Sequence, residues 1–149
     1  MTTFGQDGPR STAYRRGMTD SRNPQTIYPT LRCRDARAVL TFLVDVLGFR
    51  TLSVMPEGDG PVAHAEVAYG DGVVMLGSVG PEPGPFDTGR ACIYVALDDP
   101  DAHHDKAVDG GAKVVMELTD QDYGSREYGV EDPDGNVWVF GTYRPALST

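Results

Sequence analysis

His64 and Glu66 stand two residues apart in Val62–Tyr69, a run that alternates as an extended strand does. Side chains at i and i+2 of a strand share one face, about 7 Å apart, so a histidine and a carboxylate placed there suit acid–base work. The plain alternative is a polar pair at the edge of a sheet. Cys92, in the run Cys92–Leu97, is a candidate nucleophile. Glu127 supplies a second carboxylate at the head of Glu127–Glu131. His103-His104-Asp105 has the composition of a ligand cluster. On a helix, however, neighbours point about 100° apart, and a solvated helix face explains them better. Asp98, Asp99 and Asp101 surround Pro100; capping and helix polarity account for them, and they lack the spacing of a calcium loop.

These groups need strands to hold them, and the chain describes its strand-bearing unit twice. Ile27–Asp35 is a strand ending at an acidic helix cap, and Ala91–Asp99 repeats it. Asp35 to Asp99 is a shift of 64 residues; Asp71-Gly72 to Asp134-Gly135 is a shift of 63. A near-constant shift marks an internal duplication. In the first unit, Thr26–Cys33 is a strand and Asp35 a helix N-cap. Ala36, Val39, Leu40, Leu43, Val46 and Leu47 follow at helical spacing, and Gly48 ends the helix. Phe49–Val54, Val62–Tyr69 and Val73–Ser78 are strands, the last two joined at Gly70-Asp71-Gly72. In the second unit, Cys92–Leu97 leads to Asp99 and Pro100, a cap with proline at the first helical position. That helix runs to about Val108 and stops at Gly110-Gly111. Lys113–Glu117, Glu127–Glu131 and Asn136–Tyr143 complete the repeat. The expected divisions are a flexible tail at 1–25, one unit at 26–79, a Pro/Gly-rich linker at 80–89 and a second unit at 90–144.

Alternation assigns the faces. Tyr28, Thr30 and Arg32 of the first strand, and Cys92, Tyr94 and Ala96 of the fifth, point away from the helices. A three-residue turn at 70–72 pairs Tyr69 with Val73 and Glu66 with Leu76. This predicts His64, Glu66 and Leu76 on the open face and Val67 and Met75 on the helix side. In the second unit Glu127, Gly129 and Val139 are open, with Trp138 and Phe140 against the helix. Two such units side by side make a shared concave cup. Its expected lining is Tyr28, Thr30, Arg32, His64, Glu66, Leu76, Cys92, Tyr94, Glu127 and Val139. Two carboxylates with two tyrosine faces suit an aromatic or cationic small molecule.

A net charge of −9 and a low isoelectric point exclude the clustered positive surface that nucleic acid requires. No apolar run reaches the roughly 18–20 residues of a membrane span. Two cysteines, Cys33 and Cys92, with no secretory signal in view, read as reduced thiols of a cytoplasmic protein.

The β-α-β-β-β duplication, Arg34-Asp35 and Asp98-Asp99 before the helices, and the closing Asp132-Pro133-Asp134-Gly135-Asn136 resemble the vicinal oxygen chelate superfamily. That group holds glyoxalase I, extradiol dioxygenases, fosfomycin-resistance enzymes and bleomycin-resistance proteins. The resemblance covers residues 26–144. Asp122-Tyr123-Gly124-Ser125-Arg126-Glu127-Tyr128, Trp138 and Gly141-Thr142-Tyr143 are most similar to its bleomycin-resistance-like branch. The implied fold is α+β: two tandem modules of curved mixed sheets around a cup, helices outside. A homodimer is expected from the resemblance and from sheet edges that need a partner.

In metal-dependent members, ligands occupy inward positions on strands one, four, five and eight. These map onto Tyr28, Leu76, Cys92 and Val139. Leu and Val offer no lone pair, tyrosine is a rare ligand, and one cysteine does not hold a divalent ion against water. No metal and no other cofactor is expected. The resemblance thus implies a metal-free protein that sequesters a small molecule, with antibiotic resistance as its setting. The alternative is a metal-independent lyase or isomerase acting on a carbonyl compound through His64 and Glu66 or Cys92. A metal-dependent glyoxalase or dioxygenase is third.

Overall fold

A computed structural model describes residues 25–147; the expected tail at 1–25 lies outside them except for Gln25. Asp35 and Asp99 each open a helix in the same way. Asp35 Oδ1 accepts from the Ala38 N–H at 3.1 Å, and Asp99 Oδ1 from the Ala102 N–H at 3.0 Å. Their backbone angles nearly coincide, φ/ψ −131/80 and −129/79, as a duplication requires. Helix α1 (Ala36–Asp45) buries Ala36, Val39, Leu40 and Leu43 at helical spacing. Gly48, at φ +85, turns the chain out of it, a conformation that a Cβ disfavours. Helix α2 (Pro100–Asp109) starts on proline and buries only Pro100 and Ala107.

Strands β1 (Thr30–Cys33), β2 (Arg50–Met55), β3 (His64–Tyr69) and β4 (Gly72–Ser78) form one sheet in the order β1-β4-β3-β2. Strands β5 (Cys92–Ala96), β6 (Lys113–Asp120), β7 (Arg126–Glu131) and β8 (Val137–Gly141) form the second in the order β5-β8-β7-β6. In each, the first and last strands run parallel and the other pairs antiparallel. This is the expected α+β architecture of two β-α-β-β-β modules. No helix among the described residues is long and apolar enough to cross a membrane.

Two local expectations are corrected. Strand β1 begins at Thr30, not Thr26, because Pro29 has no N–H for the ladder; its carbonyl still accepts from the Met75 N–H at 2.9 Å. The β3–β4 turn spans two residues, Gly70-Asp71, with Tyr69 opposite Gly72. Glu66 therefore faces Met75, and Leu76 falls opposite Ala65. A slip of one residue exchanges the faces of a whole strand. Leu76, expected in the cup, is 1% exposed in the core, and Met75 takes the open position.

The helix-side faces of the two sheets meet in one core. Phe49 meets Trp138 edge-on with ring centroids 5.4 Å apart, and Tyr69 lies 6.2 Å from Phe140. Leu31, Val67, Val74 and Leu76 of the first module belong to the same buried cluster as Tyr128, Val130 and Phe140 of the second. Each sheet turns its helix-side face to this shared core and leaves its other face open. The closing loop of module two also grips module one: Asp134 Oδ1 accepts from the N–H groups of Arg34 (3.1 Å) and Asp35 (3.4 Å), at the amino end of α1.

Candidate functional site

On the open face of module one, strand β3 brings His64 and Glu66 together, with Nε2 to Oε2 at 2.9 Å and each side chain a little over a third exposed. Met75 lies across from Glu66, and Thr30 across from Met75. Arg32 is not available as a free cation. Its Nη2 donates to the Ser78 carbonyl at 3.1 Å, and its Nε lies 3.5 Å from the largely buried carboxylate of Asp87. Asp87 is held by its neighbour in the connecting loop, accepting from the Gly84 N–H at 2.6 Å. The loop between the modules thus neutralises Arg32. Tyr28 precedes β1, and its hydroxyl donates to the Gln25 carbonyl at 2.9 Å.

On module two, Cys92, Tyr94, Glu127, Gly129 and Val139 share the open face, as alternation required. The Cys92 thiol is exposed. Glu127 is only 5% exposed, and its Oε1 accepts from the Tyr123 hydroxyl at 3.0 Å. That bond is the first cause holding the Tyr123 phenol above its ordinary range. A Cβ on Gly141 would come within 2.6 Å of Glu127 Cγ, 2.7 Å of Tyr94 Oη and 3.1 Å of Ser125 Oγ, so the absence of a side chain there lets the three converge. The Tyr94 hydroxyl donates to the Tyr143 carbonyl at 2.8 Å, and Ser125 Oγ accepts from the Tyr143 N–H at 3.1 Å. The rings of Tyr123 and Tyr143 stand 6.2 Å apart at 84°. Nearby cations are engaged elsewhere: Arg126 with Asp101 and Asp120, Arg144 with Asp98. Among the described residues no basic side chain pairs with Glu127.

Tyr123, Ser125 and Tyr143 were not among the residues that alternation singled out, because they lie just outside the regular strands. The legible hint is Tyr123 four residues before Glu127 across a glycine turn. His103 also departs from expectation. It is no solvated helix residue: its Nε2 bonds the Leu47 carbonyl at 2.7 Å, its Nδ1 meets the Tyr128 hydroxyl at 2.5 Å, and its ring lies 4.1 Å from that of Phe140. His104 instead contacts Glu117 and Asp105 at the surface. No group of three or more His, Cys, Asp and Glu among the described residues could hold a metal ion. A groove of about 560 Å³ runs between β5 and the β3–β4 hairpin, walled by Phe49, Tyr69, Val73, Ile93 and Val95. Of the sequence-predicted residues only Tyr94 reaches it.

Residues 26–140 match the model of the Glyoxalase/Bleomycin resistance protein/Dioxygenase superfamily. An uncharacterized protein of Mycobacterium tuberculosis is 31% identical over 121 residues, covering 76% of this chain and 71% of its own length. TioX from Micromonospora sp. ML1 superposes with a TM-score of 0.67 at 29% identity, over 83% of this chain and all of its own. The bleomycin-binding protein of Streptomyces verticillus, solved with copper(II)-bleomycin, shares the fold at TM-score 0.60 and 23% identity, over 80% of this chain and 97% of its own. With more than half of its length matched, the chain belongs to the glyoxalase/bleomycin resistance protein/dioxygenase superfamily.

Proposed function

We propose that this protein binds a small aromatic or cationic molecule without a metal, in a cup that a second copy of the chain completes. The observation that carries the reading is Glu127, a buried carboxylate beneath exposed tyrosines that has no countercharge among the described residues. Removing a carboxylate from water costs several kcal/mol unless a cation or hydrogen bonds compensate, and the Tyr123 hydroxyl is a single neutral donor. A cationic ligand offsets that cost. The homodimer is supported by the open face of each sheet and by exposed apolar residues, among them Met55 on the edge strand β2 and Phe86 on the loop between the modules. Sequestration of an antibiotic is the form of this activity that the bleomycin-resistance resemblance supports, and the free thiols Cys33 and Cys92 fit a cytoplasmic setting.

The residues present do not fit the metal of the catalytic family members. With the observed register the four ligand positions hold Tyr28, Met75, Cys92 and Val139. A thioether, an alkyl group, a neutral phenol and one thiol make no site for a hard or borderline divalent ion.

Light scattering at tens of micromolar, followed by calorimetric titration with a panel of cationic aromatic compounds, tests the reading. A dimer with one saturable site per cup, unaffected by EDTA, is expected. A strict monomer, or binding that vanishes on chelation, overturns it.

A second reading is favoured by one contact, the 2.9 Å bond between His64 and Glu66. A carboxylate that orients an imidazole makes a general acid–base pair, as a metal-independent lyase or isomerase of a carbonyl compound needs. Turnover abolished by His64→Ala, with ligand binding retained, would establish it over sequestration.

A further inference from the structure

The geometry points to a subsite on the open face of module two for a quaternary or protonated tertiary ammonium group, with Tyr94, Tyr123 and Tyr143 as walls and Glu127 as floor. It rests on the reading of this face as ligand-binding and narrows that reading to one chemistry. Tyr94, Tyr123 and Tyr143 are 37%, 63% and 48% exposed, far more than aromatic rings held for packing. Tyr123 and Tyr143 meet at 84°, forming a corner rather than a stack. An alkylammonium in such a corner is attracted by the negative ring faces and keeps its methyl groups in apolar contact.

Glu127 adds a full charge from below. The tyrosine hydroxyls bond inward, Tyr123 to Glu127 and Tyr94 to the Tyr143 carbonyl, so those two phenols are spoken for. One carboxylate with neutral phenols is too few donors for a calcium, magnesium or zinc ion. It is the composition that suits a bulky, weakly hydrated cation. Module one has no counterpart: its strand-β3 carboxylate, Glu66, is already met by His64. The two halves of the duplication have therefore diverged, and the cationic end of a ligand is assigned to module two.

Choline and its uncharged isostere 3,3-dimethylbutan-1-ol are the probes, followed through the tyrosine ring resonances of the full chain. Choline should shift the Tyr123 and Tyr143 signals and bind at least about tenfold more tightly than the isostere. Glu127→Gln and the more exposed Tyr123→Ala should each weaken choline by about tenfold, while Glu57→Gln, in an exposed loop, leaves it unchanged. Equal binding of the two probes, unaltered affinity in both site variants, or no tyrosine shift overturns the subsite. If choline fails while the cationic aromatic panel still saturates a cup, only the subsite falls. Failure of both removes the cup reading as well.

Discussion

His103 Nε2 donates to the carbonyl oxygen of Leu47 across 2.7 Å, so a side chain of α2 satisfies a carbonyl left open beyond the end of α1. A carbonyl only accepts, so Nε2 carries the proton and Nδ1 accepts from the Tyr128 hydroxyl. Burial is the main reason that the His103 pKa lies below its ordinary value; the Leu47 bond works against it and Lys106 adds to it. The unfolded chain therefore takes up this proton at a higher pH than the folded protein. The contribution of His103 to stability is complete above about pH 6.5 and declines as the pH falls below it, toward the folded pKa. Urea unfolding of the wild type from pH 8 to pH 5 should show this loss, and His103→Gln should flatten that part of the profile. Equal slopes for the two proteins would count against it.

The register of the first hairpin is testable by a pair of neighbours. Leu76 faces the core and Met75 the open side. Leu76→Ala should cost about 3 kcal/mol in urea unfolding, and Met75→Ala less than about 1 kcal/mol. The reverse ranking would restore the three-residue turn.

Asp132 is the buried organiser of the closing loop. Its carboxylate accepts from the N–H groups of Asp134 (2.8 Å) and Asn136 (3.0 Å), from Asn136 Nδ2 (3.0 Å) and from Trp138 Nε1 (2.9 Å). Asp132→Ala leaves buried donors without a partner and should destabilise by about 3 kcal/mol or more. It should also blue- or red-shift the emission of Trp138, the single tryptophan of the chain. A fully stable variant with unchanged emission would show that the loop holds itself by other means.

The two thiols should differ sharply. Cys33 is buried, and its pKa is pushed up to about 12, first by desolvation and then by the carboxylates of Asp134, Asp132 and Asp35. Cys92 lies exposed on β5. Iodoacetamide at pH 8 should add once to the folded protein, at Cys92, and twice only in denaturant. Modification of Cys33 under native conditions would mean that the core opens locally far more often than its packing implies.

Helix α1, both aspartate caps, the proline start of α2 and the repeat of the modules were legible in the chain because each is a local relation, fixed by hydrogen bonds and side-chain spacing within a few residues. The open face of module two was legible for the same reason, since Cys92, Tyr94, Glu127 and Val139 follow from alternation alone. Leu76 was misplaced because one residue of turn length inverts a strand, and sequence spacing does not fix that length. Arg32 and His103 needed the tertiary structure: what neutralises the first is Asp87, and what holds the second is the Leu47 carbonyl, 56 residues away. That the helix-side faces of both modules share one core was likewise decided only when Phe49 met Trp138, because which apolar surfaces merge depends on total burial and not on any pattern along the chain.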